Sequence, residues 1–370
     1  METSEVAVIG SGPAAMLCAL VAARGKRRVR LYVEEPDSKD GCAIESVEAV
    51  PAAIIALLVE FGVVPAQLGV FGAHSVRQIA WESERPVVVD LARAVHLERP
   101  ALERALLAQV LRCSKIVIEA ASSQTPSWDG AVWNVGSHEA NYLIDATGRR
   151  AITARRRVAP PIRWFARLWQ FSRRLTESTT SPLAIASLPG GYVYRITSRR
   201  TVTLGAVGPS LGKVRRFDDL FAILDQSHAA WIARGLPDPS SHLGHSTNSG
   251  VQWPDDGECS SRNLLRIGDA ALAREPLASQ GIAAALSDAL YAVAAIDSGQ
   301  LPLLEMRQRE QRARHVKSLR SIFASGAHRA SSEWRGYGEW LDRVSFPDVA
   351  SVALRDGRPR IVEATGVASQ

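Results

Sequence analysis

The chain has 370 residues, of which 46% are hydrophobic, and a formal net charge of +6. It is longer than the roughly 100–200 residues typical of one domain, so we expect two closely connected domains around a large core. Only five of its 44 basic residues are lysines, and the arginines form no concentrated basic stripe, which argues against nucleic-acid binding. Four scattered cysteines without paired spacing argue against a disulfide framework and favour a cytoplasmic protein. The apolar run 14–23 is far shorter than the ~20 residues of a membrane span, and no membrane association is expected.

The first 35 residues have the pattern strand, glycine turn, helix, strand. An apolar strand over 6–9 leads into a helix over Pro13–Arg24 that Gly25 ends, and a second strand follows over Val29–Val33. This order predicts a βαβ unit. Further helices are expected over 46–61 and from Pro100 onward, where apolar residues recur at helical spacing.

The middle of the chain switches to the alternating pattern of strands, and its last third returns to helices. Strands are predicted over 115–120, 131–135, 142–146, 183–188, 192–197, 201–207 and 263–268. The alternation near Trp169 predicts another strand, with one solvated face. Helices are predicted over 217–234, 281–298 and 303–324, and the last 45 or so residues have no strong pattern.

The turn after the first strand carries a dinucleotide-binding fingerprint. Gly10 permits the tight turn, Gly12 lets the backbone approach a pyrophosphate, and Ala15 allows close packing of helix and strand. The helix that opens at Pro13 and Ala14 directs its N–H groups and dipole at the phosphates. An acidic residue at the end of the next strand is placed to accept a hydrogen bond from a ribose hydroxyl; Glu34 is the first candidate and Glu35 the alternative. NAD and FAD proteins both use this fingerprint.

A later segment favours FAD over NAD. Asp269 follows a strand and is placed to reach a polyol such as ribityl, and Gly281 opens a helix whose free N–H groups can stabilise negative charge on a reduced flavin. The simpler alternative is an aspartate N-cap followed by an ordinary buried helix.

Five motifs together resemble the flavin-dependent monooxygenase superfamily of the para-hydroxybenzoate hydroxylase fold. The resemblance is nearer to its tryptophan-halogenase-like branch, and within that to the short flavoproteins that assist cysteine tryptophylquinone formation. It spans about residues 5–324. The motifs are Gly10-x-Gly12-x-x-Ala15, Glu45-Ser46, Arg99 before a helix, Asp145-Ala-Thr-Gly148, and Gly268-Asp269-Ala-Ala with Pro276 to Ile282.

The resemblance implies an α/β fold with a Rossmann-like FAD-binding domain of glutathione-reductase type. That domain is expected to be discontinuous (1–150 and 260–325), with an inserted β-rich substrate domain (151–259), C-terminal helices and an extension (326–370). By the same resemblance, Asp269 would contact the ribityl chain, Pro276 would lie near the isoalloxazine, the amides of Gly281 and Ile282 would face its pyrimidine edge, and Arg99 would touch the cofactor.

The predicted function is an FAD-dependent oxidoreductase of monooxygenase type, which uses reduced flavin and O2 to hydroxylate an electron-rich aromatic acceptor. One candidate acceptor is a tryptophan side chain in a partner protein, and the other is a small aromatic metabolite. Halogenation is disfavoured because the halogenases of this superfamily resemble one another in a lysine that has no equivalent between Lys39 and Lys115.

Other points stay open at the level of sequence. The electron donor is NAD(P)H or a separate flavin reductase, and two rival hypotheses are a non-catalytic flavoprotein chaperone and a flavin reductase or dehydrogenase. Candidate aromatic residues of the substrate region are Trp164, Trp169, Tyr192 and Tyr194. The pair His242-x-x-His245 lacks a carboxylate to complete a ligand set, so no metal is expected, and no catalytic residue is identified.

Overall fold

A computed structural model describes residues 3–34, 47–70, 75–91, 94–121, 125–172, 183–198, 201–234, 236, 243–255, 260–278, 280–344, 346, 352–355 and 358–361. The strands are β1 (Thr3–Ile9), β2 (Val29–Val33), β3 (Val47–Pro51), β4 (Ser75–Ala80), β5 (Val87–Leu91), β6 (Ala94–Glu98), β7 (Ile116–Ala120), β8 (Ser127–Trp128), β9 (Trp133–Val135), β10 (His138–Asp145), β11 (Arg157–Val158), β12 (Phe165–Ser172), β13 (Leu183–Leu188), β14 (Gly191–Thr197), β15 (Thr201–Gly208), β16 (Leu243–Asn248), β17 (Trp253–Pro254), β18 (Leu264–Arg266), β19 (Val352–Arg355) and β20 (Arg358–Ile361). The helices are α1 (Pro13–Arg24), α2 (Ala52–Glu60), α3 (Arg99–Arg112), α4 (Phe217–Asp225), α5 (Ala230–Ala233), α6 (Asp269–Leu272), α7 (Gly281–Ser298), α8 (Leu301–Ser325) and α9 (Ser332–Arg343).

The first layer is a sheet whose parallel part has the order β7, β2, β1, β10, β18. Ile9 lies opposite Asp145, and Asp145 lies opposite Arg266, so β1, β10 and β18 end at one edge. The helices α1 and α7 pack against each other over this sheet. Their packing buries ten residues of α1 and eight of α7. Ligands of open α/β sheets bind beyond the carboxyl ends of such strands, which makes this edge the expected site.

The second layer is a seven-stranded sheet in the order β16, β12, β15, β14, β13, β4, β5. Neighbouring strands are antiparallel except β4 and β13, which are parallel. One face packs against α4 and α5, and the other contributes to an apolar cluster with α8 and α9. The domain boundaries expected at residues 150 and 260 stay a prediction. The two sheets do not coincide with these boundaries, since β4 and β5 precede residue 150 yet belong to the second sheet.

Most predicted elements are present, and two predicted helices differ in extent. The helix expected over 46–61 begins only at Ala52, because the preceding residues pair with β6 as β3 and a residue before proline, here Val50, prefers extended backbone. The helix expected over 217–234 is divided into α4 and α5. Ser227 lies at the break, where its hydroxyl accepts a hydrogen bond from the N–H of Ala229 at 3.1 Å.

Two expectations about burial were wrong. Neither face of β12 is solvated at its described side chains, because Ala166 packs in the cluster with α8 and α9 on one face, while Trp169 and Phe171 are fully buried near Phe217 on the other. The C-terminal region, where no pattern was expected, contains α9, whose residues Trp334, Tyr337, Trp340 and Leu341 are buried. Their spacing of three or four residues is the helical pattern that the sequence did contain.

The helix α7 is apolar and long enough, at 18 residues, to cross a membrane by length and composition. It is instead explained as a core helix, because its apolar residues pack against α1 and α8.

Candidate functional site

Three segments that are distant in sequence are in contact at the edge where β1, β10 and β18 end. Gly10 has φ +139°, and a Cβ atom there would lie 2.3 Å from the carbonyl oxygen of Ala146. Gly268 has φ +60°, and a Cβ atom there would lie 3.3 Å from the Cβ atoms of both Ala14 and Ala285. The glycine turn, the segment after β10 and the first turns of α1 and α7 therefore pack together, and glycine is required where they approach most closely.

Two helix N-termini open at this junction. The residues that precede α1 and α7, Gly12 and Gln280, make no side-chain cap. Among the described residues, a Cβ atom on Gly12 or on Gly281 would meet no atom within 4 Å outside its own turn, so both glycines face open space there. The first N–H groups of a helix have no partner within the helix, and together with the helix dipole they attract anions. Residues Ala14, Ala15 and Ile282 lie in these first turns, and Pro13 donates no hydrogen bond.

Charged side chains lie beside the start of α6. The Asp269 carboxylate is 3.6 Å from the Arg149 guanidinium. It also interacts electrostatically with Arg99, whose Nε donates to Glu103 at 2.9 Å and whose guanidinium lies 3.8 Å from Glu48. Burial and the negative charge of Asp269 raise the pKa of Glu48, and Arg99 opposes the rise. Arg149 and Glu48 were not anticipated from the sequence, and the assignment of Arg99 to the cofactor stays a prediction.

Glu34 lies at the end of β2 with its side chain about half exposed, and it forms an ion pair with Arg150. A ribose hydroxyl would therefore share this carboxylate with an arginine. The alternative Glu35, the motif residues Glu45 and Ser46, and His242 lie outside the described residues, and the side chain of His245 is not described.

The Asp145 carboxylate is fully buried and makes four hydrogen bonds. One oxygen accepts from the N–H and hydroxyl of Thr147 at 3.0 and 2.6 Å, and the other accepts from the N–H and hydroxyl of Thr153 at 3.0 and 2.7 Å. These bonds occupy its acceptor sites, so Asp145 holds the turn after β10 in place rather than facing a ligand.

Aromatic side chains cover the face of the second sheet that packs against α8 and α9. We call this set the aromatic face: Trp81, Trp164, Tyr192 and Tyr194, against which Tyr337 of α9 packs. Ring centroids lie 6.4 Å apart for Trp164 and Tyr192, 6.5 Å for Tyr192 and Tyr194, and 4.9 Å for Trp164 and Tyr337. Trp169, the fourth candidate from the sequence, lies on the opposite face of the sheet, 6.2 Å from Phe217.

A buried carboxyl group contacts the aromatic face through Tyr192 and interacts electrostatically with Arg149. Glu275, directly before Pro276, is 1% exposed, and its Oε1 accepts a hydrogen bond from the Tyr192 hydroxyl at 2.8 Å. Burial raises the pKa of Glu275 to about 7, against the opposing effects of the Tyr192 hydrogen bond and the Arg149 charge. The backbone N–H of Glu275 donates to Nε2 of His315 at 3.3 Å.

Sequence reasoning did not single out Glu275. The available signal was weak: an acidic residue directly after Arg274, in the mainly apolar segment between Asp269 and Gly281. Its importance follows only from its burial and from the contacts with Tyr192 on β14 and His315 on α8.

No family model matches the sequence, and no curated protein is significantly similar to it. Solved structures do match. QhpG, a peptidyl tryptophan dihydroxylase essential for tryptophylquinone cofactor biogenesis, is 20% identical with a TM-score of 0.72, over 98% of this chain and 87% of its own. CmlS, a flavin-dependent halogenase, is 19% identical with a TM-score of 0.72, over 93% of this chain and 70% of its own. PqsL of Pseudomonas aeruginosa, described as a probable FAD-dependent monooxygenase, is 16% identical with a TM-score of 0.62, over 92% of this chain and all of its own.

These likenesses cover nearly the whole chain, and they confirm at the level of fold the expected resemblance to the halogenase-like branch. The chain has the α/β fold of the flavin-dependent oxygenases and halogenases.

Proposed function

We propose that this chain binds FAD and is an oxidoreductase of monooxygenase type that hydroxylates an electron-rich aromatic acceptor. The observation that carries the proposal is the convergence of two uncapped helix N-termini and Asp269 at one sheet edge, next to the aromatic face. When bound, FAD supplies the activation of O2, which side chains alone do not provide. The protein's part is to bind the cofactor, exclude water and position the acceptor.

The described residues fit FAD as a ligand. The open space at Gly12 and at Gly281 provides room for a ligand against backbone N–H groups at two places, as a molecule with a pyrophosphate and a flavin ring requires. Asp269 follows Gly268, which lies against Ala14 of α1 and Ala285 of α7, and it offers a carboxylate for a polyol. The residues that we assign to the cofactor are Gly10, Gly12, Pro13, Ala14, Ala15, Glu34, Arg99, Asp269, Pro276, Gly281 and Ile282.

For the acceptor we propose a tryptophan side chain of a partner protein. The likeness to QhpG, which is described as a peptidyl tryptophan dihydroxylase, supports this choice. A small aromatic metabolite is the competing acceptor. Halogenation has less support, since the halogenase lysine has no counterpart between Lys39 and Lys115.

The electron source is proposed to be NAD(P)H or a separate flavin reductase. We further propose a cytoplasmic location. The free thiols of Cys18 and Cys113 suit a reducing compartment.

The first experiment measures cofactor binding. Purified protein is expected to bind FAD in a one-to-one ratio, and the variant Asp269→Ala is expected to lose most of it, because it removes the carboxylate assigned to the polyol. The matched control Asp218→Ala removes an exposed carboxylate in the first turn of α4 and should bind FAD as the wild type does. A folded wild-type protein that binds no FAD would contradict the proposal.

The second experiment tests the reaction. FAD-loaded protein, reduced with NAD(P)H or a flavin reductase, is mixed with proteins encoded near its gene and exposed to O2. Mass spectrometry should find a tryptophan that has gained one or two oxygen atoms. A gain on a small aromatic compound would support the metabolite alternative, and FAD binding without any oxygen transfer would support the chaperone hypothesis.

A further inference from the structure

Arg149 is in contact with two other segments of the proposed site. Its guanidinium is 3.6 Å from the Asp269 carboxylate, and its side chain is only 23% exposed. One terminal nitrogen donates to the carbonyl oxygen of Gly250 at 2.6 Å, and the other donates to that of Arg274 at 2.8 Å. Three parts of the chain that are distant in sequence therefore meet at one side chain.

The turn that carries Arg149 is itself fixed. It follows Gly148, whose φ of +64° is a conformation that favours glycine, and the Asp145 carboxylate holds this turn through its four hydrogen bonds. The carbonyl oxygen of Arg149 accepts hydrogen bonds from Nε2 of Gln252 at 2.6 Å and from the Arg157 guanidinium at 3.1 Å. The backbone from which the side chain extends is thus set independently of any ligand.

The two segments that accept hydrogen bonds from the guanidinium are also held without it. The backbone groups of Gln252 and Ala273 pair, each N–H donating to the carbonyl oxygen of the other, at 3.1 and 2.9 Å. The backbone N–H of Ser249 donates to the carbonyl oxygen of Trp164 at 3.0 Å. These segments can therefore keep their place when Arg149 is changed, and they act as fixed acceptors that orient its guanidinium.

The distance between Arg149 and Asp269 leaves the carboxylate available to a ligand. Nε of Arg149 and Oδ2 of Asp269 are 3.6 Å apart, farther than the about 2.7–3.2 Å of an N–H···O hydrogen bond, so the contact is one of charge. Because carbonyl oxygens fix the terminal nitrogens, the guanidinium keeps its place, and the attraction between opposite charges orients the carboxylate. The Asp269 oxygens can then accept hydrogen bonds from the hydroxyls of a polyol.

We propose that Arg149 is the positioning residue for Asp269, and that it holds this carboxylate toward the ribityl chain of FAD. The inference rests on the proposed function, because it assumes that Asp269 binds the polyol of the cofactor. A carboxylate that already has its binding orientation loses less conformational entropy when the ligand arrives. Loss of Arg149 should therefore weaken FAD binding in a protein that still folds, and it should do so only through Asp269.

The test is a double-mutant cycle of Arg149→Met and Asp269→Asn, in which flavin fluorescence measures the dissociation constant of FAD. Arg149→Met alone should weaken binding about tenfold, the effect of one impaired hydrogen bond to a charged group. In the Asp269→Asn background the same substitution should change the constant by less than about twofold, because no carboxylate is left to orient. A role of Arg149 in folding alone predicts the same loss in both backgrounds.

The matched control is Arg320→Met. Arg320 has similar surroundings, because it donates to the carbonyl oxygens of Leu341 and Val344, each at 2.6 Å, and lies 3.6 Å from the Asp342 carboxylate. It connects α8 to the end of α9 rather than to the proposed cofactor residues. This variant should lower the melting temperature, as Arg149→Met does, and should leave FAD binding unchanged.

Arg149→Lys serves where Arg149→Met does not fold. Lysine keeps the charge, but its single nitrogen cannot replace a planar guanidinium that reaches Asp269 and two carbonyl oxygens, so binding should weaken with the same dependence on Asp269. Three outcomes would overturn the inference: wild-type affinity in either Arg149 variant, an equal loss in the Asp269→Asn background, or an equal loss in Arg320→Met. Absence of FAD binding by the wild type, or unchanged binding by Asp269→Asn alone, instead refutes the proposed function or its assignment of Asp269.

Discussion

The Glu275 carboxyl should make the stability of this protein depend on pH in a direction opposite to that of most acidic residues. Burial raises its pKa from the usual 4.5 to about 7, so the folded state holds this proton more tightly than the unfolded state does. The stabilisation is fully present below pH 4.5 and is lost as the pH rises through 7. The difference between the two pKa values corresponds to about 3 kcal/mol in the free energy of unfolding. Little screening is expected, since the side chain is 1% exposed.

The change that isolates this effect is Glu275→Gln, a substitution of nearly equal volume that does not titrate. Urea unfolding of FAD-free wild type and variant is measured at several pH values between about 5 and 8. The wild type should lose about 3 kcal/mol relative to the variant as the pH rises. Burial lowers the pKa values of His96 and His315 to about 4, and these histidines act in the opposite direction, but they are present in both proteins and cancel in the difference.

The companion variant Tyr192→Phe removes the hydrogen bond that lowers the pKa of Glu275, so the loss of stability should move to higher pH. A difference between wild type and Glu275→Gln that stays flat over this range would refute the reasoning, because it would mean that the carboxyl titrates alike in the folded and unfolded states.

Three other substitutions separate cofactor binding from folding. Gly12→Leu should keep the thermal stability of the FAD-free protein, because a Cβ atom there meets no neighbouring group of the described residues within 4 Å, and should abolish FAD binding; a variant that still binds FAD would contradict the assignment of this open space. Gly10→Ala should instead lower the stability without FAD, since its Cβ atom would lie 2.3 Å from a carbonyl oxygen at φ +139°, and an unchanged melting temperature would argue against this packing. Asp145→Asn should lower the free energy of unfolding by about 2 kcal/mol, because an NH2 group would replace an oxygen that accepts two hydrogen bonds, and denaturant titration measures this loss.

Local patterns in the sequence were sufficient to predict the elements whose backbone we assign to the cofactor. The turn at Gly10, the helix Pro13–Arg24 and the helix Gly281–Ser298 have the predicted bounds, because glycine positions and continuous apolar runs determine them locally. The start of α2 was wrong because the residues before it pair with β6, a contact between segments distant in sequence.

The tertiary structure alone decided which side chains share an environment. The odd spacing of Trp164 and Trp169 places them on opposite faces of extended chain, but only the fold shows that α8 and α9 cover one of these faces and α4 and α5 the other. The charge of Glu275 could be read from the sequence, but its burial against Tyr192 and beside His315 required β14 and α8 to meet at one place. The reason is physical: backbone conformation follows from neighbouring residues, whereas burial, pKa and hydrogen-bond pairing depend on groups that only the folded chain brings together.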